Sequence, residues 1–331
     1  MSTAPHAFRG LVDWHAHFFP PELVELLSAR TGAPRLVPSG EETLLLGADG
    51  GQHRLGRAIF DIALRERELE EAGIAHQVLS LPGLMGVDTA AAEDAPALVR
   101  SFNEGISRLV ERRPDRFSAL ALVPLARLDA APAILADGLD RLGLAGVILP
   151  TAAFRDEETA QRFSAVLAEL DARAGHLFVH PGPLPGVSGA PVAQDAAAAI
   201  RKGVLGIQND LSAAAVTLEF TPFLDAFPHI QVHVANLAGA LPFLAERIAH
   251  GAARYGVSEA EAAGRKRRIL VDTASFGPRA IALAAEVFGP ERILFGTDAP
   301  IFPVAAAFHA LAESGVTPVA QPPRRAARPA A

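Results

Sequence analysis

The stretch Leu11-Val12-Asp13-Trp14-His15-Ala16-His17 sets the reading of the whole chain. It has the length and the apolar start of a buried strand, and it ends on two histidines one residue apart. Comparable runs recur at 76–81, 117–124, Gly146–Pro150, 177–180, 230–235, 269–273 and 293–296. They are short and rich in Val, Ile, Leu and Phe, the pattern of a strand covered on both faces. Amphipathic segments separate them. Residues 60–72 read as a helix closed by Gly73 and 95–113 as one stopped by Pro114. Residues 129–142 and 157–174 read as helices ending at Gly143 and Gly175, and Pro278–Phe288 as one ending at Gly289. Eight strand–helix units over roughly 300 residues predict an α/β fold of the (β/α)8, or TIM, barrel kind. A doubly wound open sheet is the second choice, and no glycine-rich phosphate turn follows the first strand to support it.

One segment breaks the alternation. At about 34–57, two short apolar pieces flank Gly47-Ala48-Asp49-Gly50-Gly51, which predicts a β-hairpin inserted after the first strand and lying over the barrel mouth. Residues 1–320 are expected to form a single barrel domain. Residues 321–331, rich in Pro and Arg, are expected to be a disordered tail.

Composition narrows the chemistry. The 331 residues include no cysteine, so thiolate zinc sites, iron–sulfur clusters, disulfides and a Cys nucleophile are excluded. A metal must therefore be held by His, Asp or Glu. Thirty Lys and Arg against 37 Asp and Glu give a formal charge of −7, which argues against a nucleic-acid surface. No long uncharged apolar stretch marks a membrane span, and residues 1–10 lack the apolar centre of a signal peptide. The expectation is a cytoplasmic protein acting on a small molecule.

Side chains two apart on a strand share a face, so His15 and His17 are expected to project together from the C-terminal end of the first strand. His180 ends the fifth apolar run and Asp298 follows the eighth. In a closed barrel the first and eighth strands are neighbours. His15, His17 and Asp298 then converge, with His180 across the mouth. Three nitrogens and one oxygen with room for water describe a catalytic metal site rather than a closed structural one. Trp14 is expected to pack with parity opposite to His15. His176 has the parity of His180 but lies near the barrel bottom. Asp272, ending the seventh strand, is a candidate partner for a ligating histidine.

The motifs His15-Ala16-His17-Phe18-Phe19-Pro20, Phe178-Val179-His180-Pro181-Gly182 and Phe295-Gly296-Thr297-Asp298-Ala299-Pro300 resemble the metal motifs of the amidohydrolase superfamily. The nearer likeness is to its aminocarboxymuconate-semialdehyde decarboxylase branch. Glu70-Glu71-Ala72-Gly73-Ile74, Val271-Asp272-Thr273 and Leu241-Pro242-Phe243-Leu244 add to it, over residues 12–303. The resemblance implies one divalent ion held by His15, His17, His180 and Asp298, with zinc the first expectation and manganese the second. It also implies decarboxylation of a small carboxylated aromatic or muconate-like acid, and a homodimer. An arginine on the returning arm of the insertion, Arg54 or Arg57, would grip the substrate carboxylate. Arg247 would reach the neighbouring subunit's site. A guanidinium suits a carboxylate because two N–H groups meet two oxygens in one plane.

One position departs from the family. The histidine expected before the sixth-strand Leu-Pro pair is replaced by Asn236. An amide donates and accepts hydrogen bonds but does not exchange a proton near neutral pH. His233, three residues earlier, is expected to point toward the helices. Two chemistries follow. Either Asn236 orients the substrate in a modified decarboxylation, or Asp298 acts as base in hydrolysis of an ester, lactone or amide. A ligand-binding barrel without catalysis is the alternative of another class.

Overall fold

The computed structural model describes residues 10–40, 42–48, 50–187, 195–251, 254, 256, 268–274 and 276–319. The expected tail at 321–331 lies outside the described residues. Eight parallel strands follow one another in chain order around a barrel: β1 (Leu11–His17), β5 (Ile74–Ser80), β6 (Phe117–Ala121), β7 (Gly146–Pro150), β8 (His176–His180), β9 (Gln231–Val234), β10 (Ile269–Asp272) and β11 (Ile293–Leu294). The barrel closes just beyond the short last strand. Trp14 N–H donates to the Phe295 carbonyl, Asp298 N–H to that of His15 and His17 N–H to that of Ala299. Every residue of β1, β7 and β8 is buried, as the unbroken apolar runs predict for strands with a core on both sides.

Helices lie outside the strands. They include α1 (Pro21–Ala29), α2 (Ile62–Ala72), α3 (Ala95–Arg112), α4 (Ala131–Asp140), α5 (Glu157–Gln161), α6 (Ser164–Asp171), α7 (Ala196–Ile200), α8 (Ile207–Phe220), α9 (Leu241–Gly251), α10 (Pro278–Phe288) and α11 (Val304–Ser314). Neighbouring helices pack pairwise, and α11 returns to touch α2. Asp61 caps α2 by accepting from Leu64 N–H, and Gly73 ends the helix at φ 71°, as expected of a glycine at that place. The helix expected over 157–174 is broken in two. Phe163 leaves helical geometry at φ −97°, ψ 1°, and its buried ring lies 6.4 Å from that of Phe154.

The insertion is a three-stranded antiparallel sheet rather than a two-stranded hairpin: β2 (Arg35–Ser39), β3 (Glu42–Leu46) and β4 (Gln52–Leu55). It follows α1, and β3 and β4 join through the glycine turn, where Gly47 N–H donates to Gly51 O. Leu36, Leu45 and Leu55 anchor it to the core. Among the described residues no helix is long and apolar enough to cross a membrane.

Candidate metal centre

His15, His17, His180 and Asp298 come together at the C-terminal mouth of the barrel, with candidate ligand atoms all within 4.8 Å of one another. That span suits one ion with ligand bonds of about 2.0–2.2 Å. All four residues are buried. His15 Nε2 lies 3.5 Å and His17 Nε2 3.0 Å from Asp298 Oδ1. Neither buried Nε2 is satisfied by a well-formed hydrogen bond, as a metal-facing nitrogen requires.

The opposite ring nitrogens are all held by protein. His15 Nδ1–H donates to Asp272 Oδ2 at 3.0 Å, His180 Nδ1–H to the Pro181 carbonyl at 3.0 Å, and His17 Nδ1 meets Ser80 Oγ at 3.3 Å. Ser80 Oγ itself donates to Ala16 O, which leaves its lone pair for His17. These contacts place the proton on Nδ1 and present Nε2 to the centre in each ring. The donor set therefore fits one divalent cation.

The electrostatics agree. Burial disfavours charge on His15, but Asp272 and Asp298 outweigh it and raise its pKa to about 9. Burial likewise works against ionised Asp298, yet the neighbouring histidines hold its pKa down to about 2. Burial keeps His17 below its ordinary value and, with the charges of His15 and His17, keeps His180 well below it. An ionised carboxylate walled by imidazoles is an environment that calls for a cation.

Backbone geometry delivers these side chains in ways the sequence pattern does not announce. Between Asp13 and Ala16, β1 spends one more residue than its partner β5, so the strand bulges at Trp14-His15. Trp14 therefore does not take the parity opposite to His15. Its ring lies 5.1 Å from that of His176 and 6.5 Å from that of His233, inside the barrel. Asp13, on the other side, accepts from Thr297 Oγ1 at 2.6 Å and from Gln77 Nε2 at 2.7 Å. Gly296 sits where a Cβ would meet His15 Cβ at 2.9 Å and Asp272 Cβ at 3.0 Å, so its missing side chain lets the His15–Asp272 pair close. Asp298 takes φ 57°, a left-handed conformation rare outside glycine that turns its carboxylate back over the mouth.

The sixth barrel strand, β9, corrects a second expectation. His233 does not face the helices. Its Nε2 lies 2.7 Å from Asp272 Oδ2, and its ring stacks on Phe178 at 4.3 Å. The odd offset to Asn236 fails because β9 ends at Val234 and Asn236, Leu237 and Ala238 follow at φ 53°, 55° and 57°. Asn236 is buried at the same end. Its N–H donates to Asp272 Oδ1 at 3.1 Å, and among the described residues its side-chain Oδ1 has no hydrogen-bond partner.

The arginines are placed elsewhere in the single chain. Arg54 pairs with Glu42 across the insertion at 3.3 Å and Arg57 with Asp61 at 2.8 Å, both on exposed side chains. Arg247 is exposed on α9. Sequence reading passed over Arg65, which is fully buried and donates to Gln77 Oε1 and to the carbonyls of His17 and Ala58. It ties α2 to the strand end that carries His17, and nothing in a charged helical segment signals it. Asp88, buried beyond β5, was also passed over. Among the described residues its Oδ1 has no hydrogen-bond partner, and burial raises its pKa to about 7.

The Amidohydrolase family model matches residues 12–325. Among curated relatives, 6-methylsalicylic acid decarboxylase of Penicillium expansum is 25% identical over 311 residues, covering 88% of this chain and 85% of that protein. Gamma-resorcylate decarboxylase of Rhizobium radiobacter is 26% identical over 271 residues, covering 75% and 79%. Among solved structures, dihydroxybenzoic acid decarboxylase from Polaromonas sp. JS666, with bound manganese and the inhibitor 2-nitroresorcinol, superposes with a TM-score of 0.66 at 18% identity, covering 94% of this chain and 92% of that one. A model match over nearly the whole barrel, joined to a four-residue site for one divalent cation, places this chain in the amidohydrolase family.

Proposed function

We propose that this protein is a metal-dependent decarboxylase of small carboxylated aromatic acids. The observation that carries the reading is the convergence of His15, His17, His180 and Asp298, with each imidazole oriented from behind. The full-length relatives named as 6-methylsalicylic acid and gamma-resorcylate decarboxylases support the substrate class. Manganese in the dihydroxybenzoic acid decarboxylase supports that ion beside zinc. When bound, the ion supplies Lewis acidity to a substrate oxygen.

The chain's own residues divide the remaining work. Loss of CO2 from a ring requires a proton at the carbon that releases it. Asn236 supplies none, so Asp298 carries it: the carboxylate takes a proton from a substrate hydroxyl or a water and returns it to that carbon as the carbon–carbon bond breaks. The unpartnered Asn236 Oδ1 accepts a hydrogen bond from the substrate and orients the ring. Arg54 and Arg57 remain the candidates for the carboxylate clamp, each exchanging its present acidic partner for the substrate. Arg247, exposed on α9, would serve a second copy of the chain in a homodimer.

The replacement of a histidine by Asn236 favours one second reading, hydrolysis of an ester, lactone or amide with Asp298 as base. Both readings are tested together. The protein loaded with manganese or zinc is offered ortho-hydroxy aromatic acids, muconate-like acids and a panel of lactones and esters. Release of CO2 from the ring acids is expected. Turnover of lactones alone would replace decarboxylation by hydrolysis, and binding without turnover of any compound would leave a ligand-binding barrel.

A further inference from the structure

Behind the metal centre lies a buried chain of polar side chains that the proposed chemistry does not use. Asp272 is fully buried and saturated with donors. Oδ2 accepts from His15 Nδ1 at 3.0 Å and His233 Nε2 at 2.7 Å. Oδ1 accepts from the N–H groups of Asn236 at 3.1 Å and Ala274 at 2.9 Å. One carboxylate therefore orients a metal-facing imidazole and the backbone turn that carries Asn236.

The carboxylate also dictates the tautomers behind it. It accepts only, so His233 must carry its proton on Nε2. His233 Nδ1 is then the acceptor, 3.4 Å from His176 Nε2, which must be the donor. The Gln231 atom 3.1 Å from His176 Nδ1 is Oε1, so this tautomer requires the Gln231 amide to be turned by 180° to offer its NH2. With the amide so turned, the donors run one way, Gln231 to His176 to His233 to Asp272, and His15 donates to the same carboxylate from the metal side. Phe178 stacks on His233 at 4.3 Å and meets the edge of His15 at 5.0 Å, while Trp14 covers His176 at 5.1 Å. These rings keep water from competing for the donors. His233 has no route to the substrate, because both of its nitrogens are engaged below the mouth.

We infer that His233 is a positioning residue: its Nε2–H fixes the Asp272 carboxylate, and through it the Nδ1–H tautomer of His15 and the placement of Asn236. The inference rests on the reading of His15 as a metal ligand. Groups that orient a ligating histidine typically contribute 10–100-fold to metal affinity, roughly, when removed.

Three variants of the full chain test it by chelator competition for manganese and zinc. His233→Leu keeps an apolar side chain against Phe178 and removes the donor. It is expected to weaken metal binding about 10–100-fold. His233→Gln places an amide donor near the former Nε2 and is expected to stay within about 3-fold of the parent, as rescue through a retained hydrogen bond. His233→Asn, whose shorter amide stops short of Asp272, should behave like the leucine variant and stands in for it if that protein does not fold. Imidazole proton–nitrogen spectra of the zinc-loaded proteins give a readout free of activity: the parent should show His15 protonated on Nδ1 and His233 on Nε2, and the leucine variant should lose the single His15 tautomer. Equal metal affinity in the parent and in His233→Leu or His233→Asn would overturn the inference. So would equal weakening in His233→Gln and His233→Leu, which would mark a merely structural residue. Failure of the parent to bind either ion would instead strike the metal reading itself.

Discussion

The ends of β8 and β9 are neighbours in the barrel and present their side chains by opposite means. The former stays extended through His180, paired residue for residue with β7 up to Pro150. The latter stops at Val234 and enters three left-handed residues starting at Asn236. Alternation therefore predicts where His180 points, and it cannot be carried past Val234 to relate Asn236 to His233. The ladder of hydrogen bonds enforces alternation, and the guarantee ends where the ladder ends. His180 thus stands on the regular kind of strand end, whereas Asn236, like Asp298 at φ 57°, stands on the irregular kind.

The largest expected effect lies on the regular edge. His180→Ala removes a ligand rather than a supporting contact, so metal affinity should fall by more than the roughly 10–100-fold typical of supporting residues. Elemental analysis after dialysis should find the variant without its ion and without turnover. Retention of a full equivalent would show that the β8 end is not part of the centre.

On the irregular edge the opposite direction is expected. Asn236→His restores an acid–base group, and His is among the few residues that accept the φ of 53° found there. Decarboxylation should rise by about 10²-fold, the low end of general acid–base help, and its pH profile should gain a limb near the ordinary histidine range. An unchanged rate would mean that proton transfer from Asp298 already suffices.

A buried carboxyl beyond the end of β5 should make stability depend on pH. Asp88 has a folded pKa raised to about 7 from 3.8, because burial penalises its charged form. The native protein thus keeps a proton that the unfolded chain loses above 3.8. The stability contributed by that proton is full below 3.8 and is lost as pH rises to about 7. Asp88→Asn removes the penalty, so its melting temperature should exceed the parent's at pH 8, by an amount worth about 2–4 kcal/mol, and the gap should close toward pH 4. A gap that does not change with pH would place Asp88 in contact with a compensating charge.

The smallest effects on stability belong to the insertion. Solvent screens the exposed Arg54–Glu42 and Arg57–Asp61 pairs, so each should contribute little to stability. Arg54→Ala and Arg57→Ala should therefore leave the melting temperature nearly unchanged. If either arginine clamps the substrate, that variant should raise KM for a ring acid about tenfold or more, the cost of a charge-assisted hydrogen bond. Two unchanged KM values would remove the insertion from carboxylate recognition.

Much of the architecture was legible because the barrel strands are short runs rich in apolar residues and helices such as α2 and α10 end at Gly73 and Gly289. The metal ligands were legible for a related reason: His15, His17, His180 and Asp298 stand at the ends of such runs, and barrel closure brings those ends together. The third strand of the insertion was not, since Gln52-His53-Arg54-Leu55 carries little apolar character and forms by pairing with β3. Arg65 looks like any surface arginine of a helix, and its burial depends on carbonyls contributed by distant segments.

By itself the sequence determined the alternation of buried strands and outer helices, the absence of thiol chemistry, and the identity of the four residues that can hold one cation. Those follow from side-chain type and local period, which need no knowledge of neighbours. Tertiary structure alone decided that β1 bulges at Trp14-His15, that Asp298 and Asn236 turn left-handed over the mouth, and that His233 reaches Asp272. Each of these depends on which strand lies alongside and where its hydrogen bonds stop, and that information exists only once the barrel has closed.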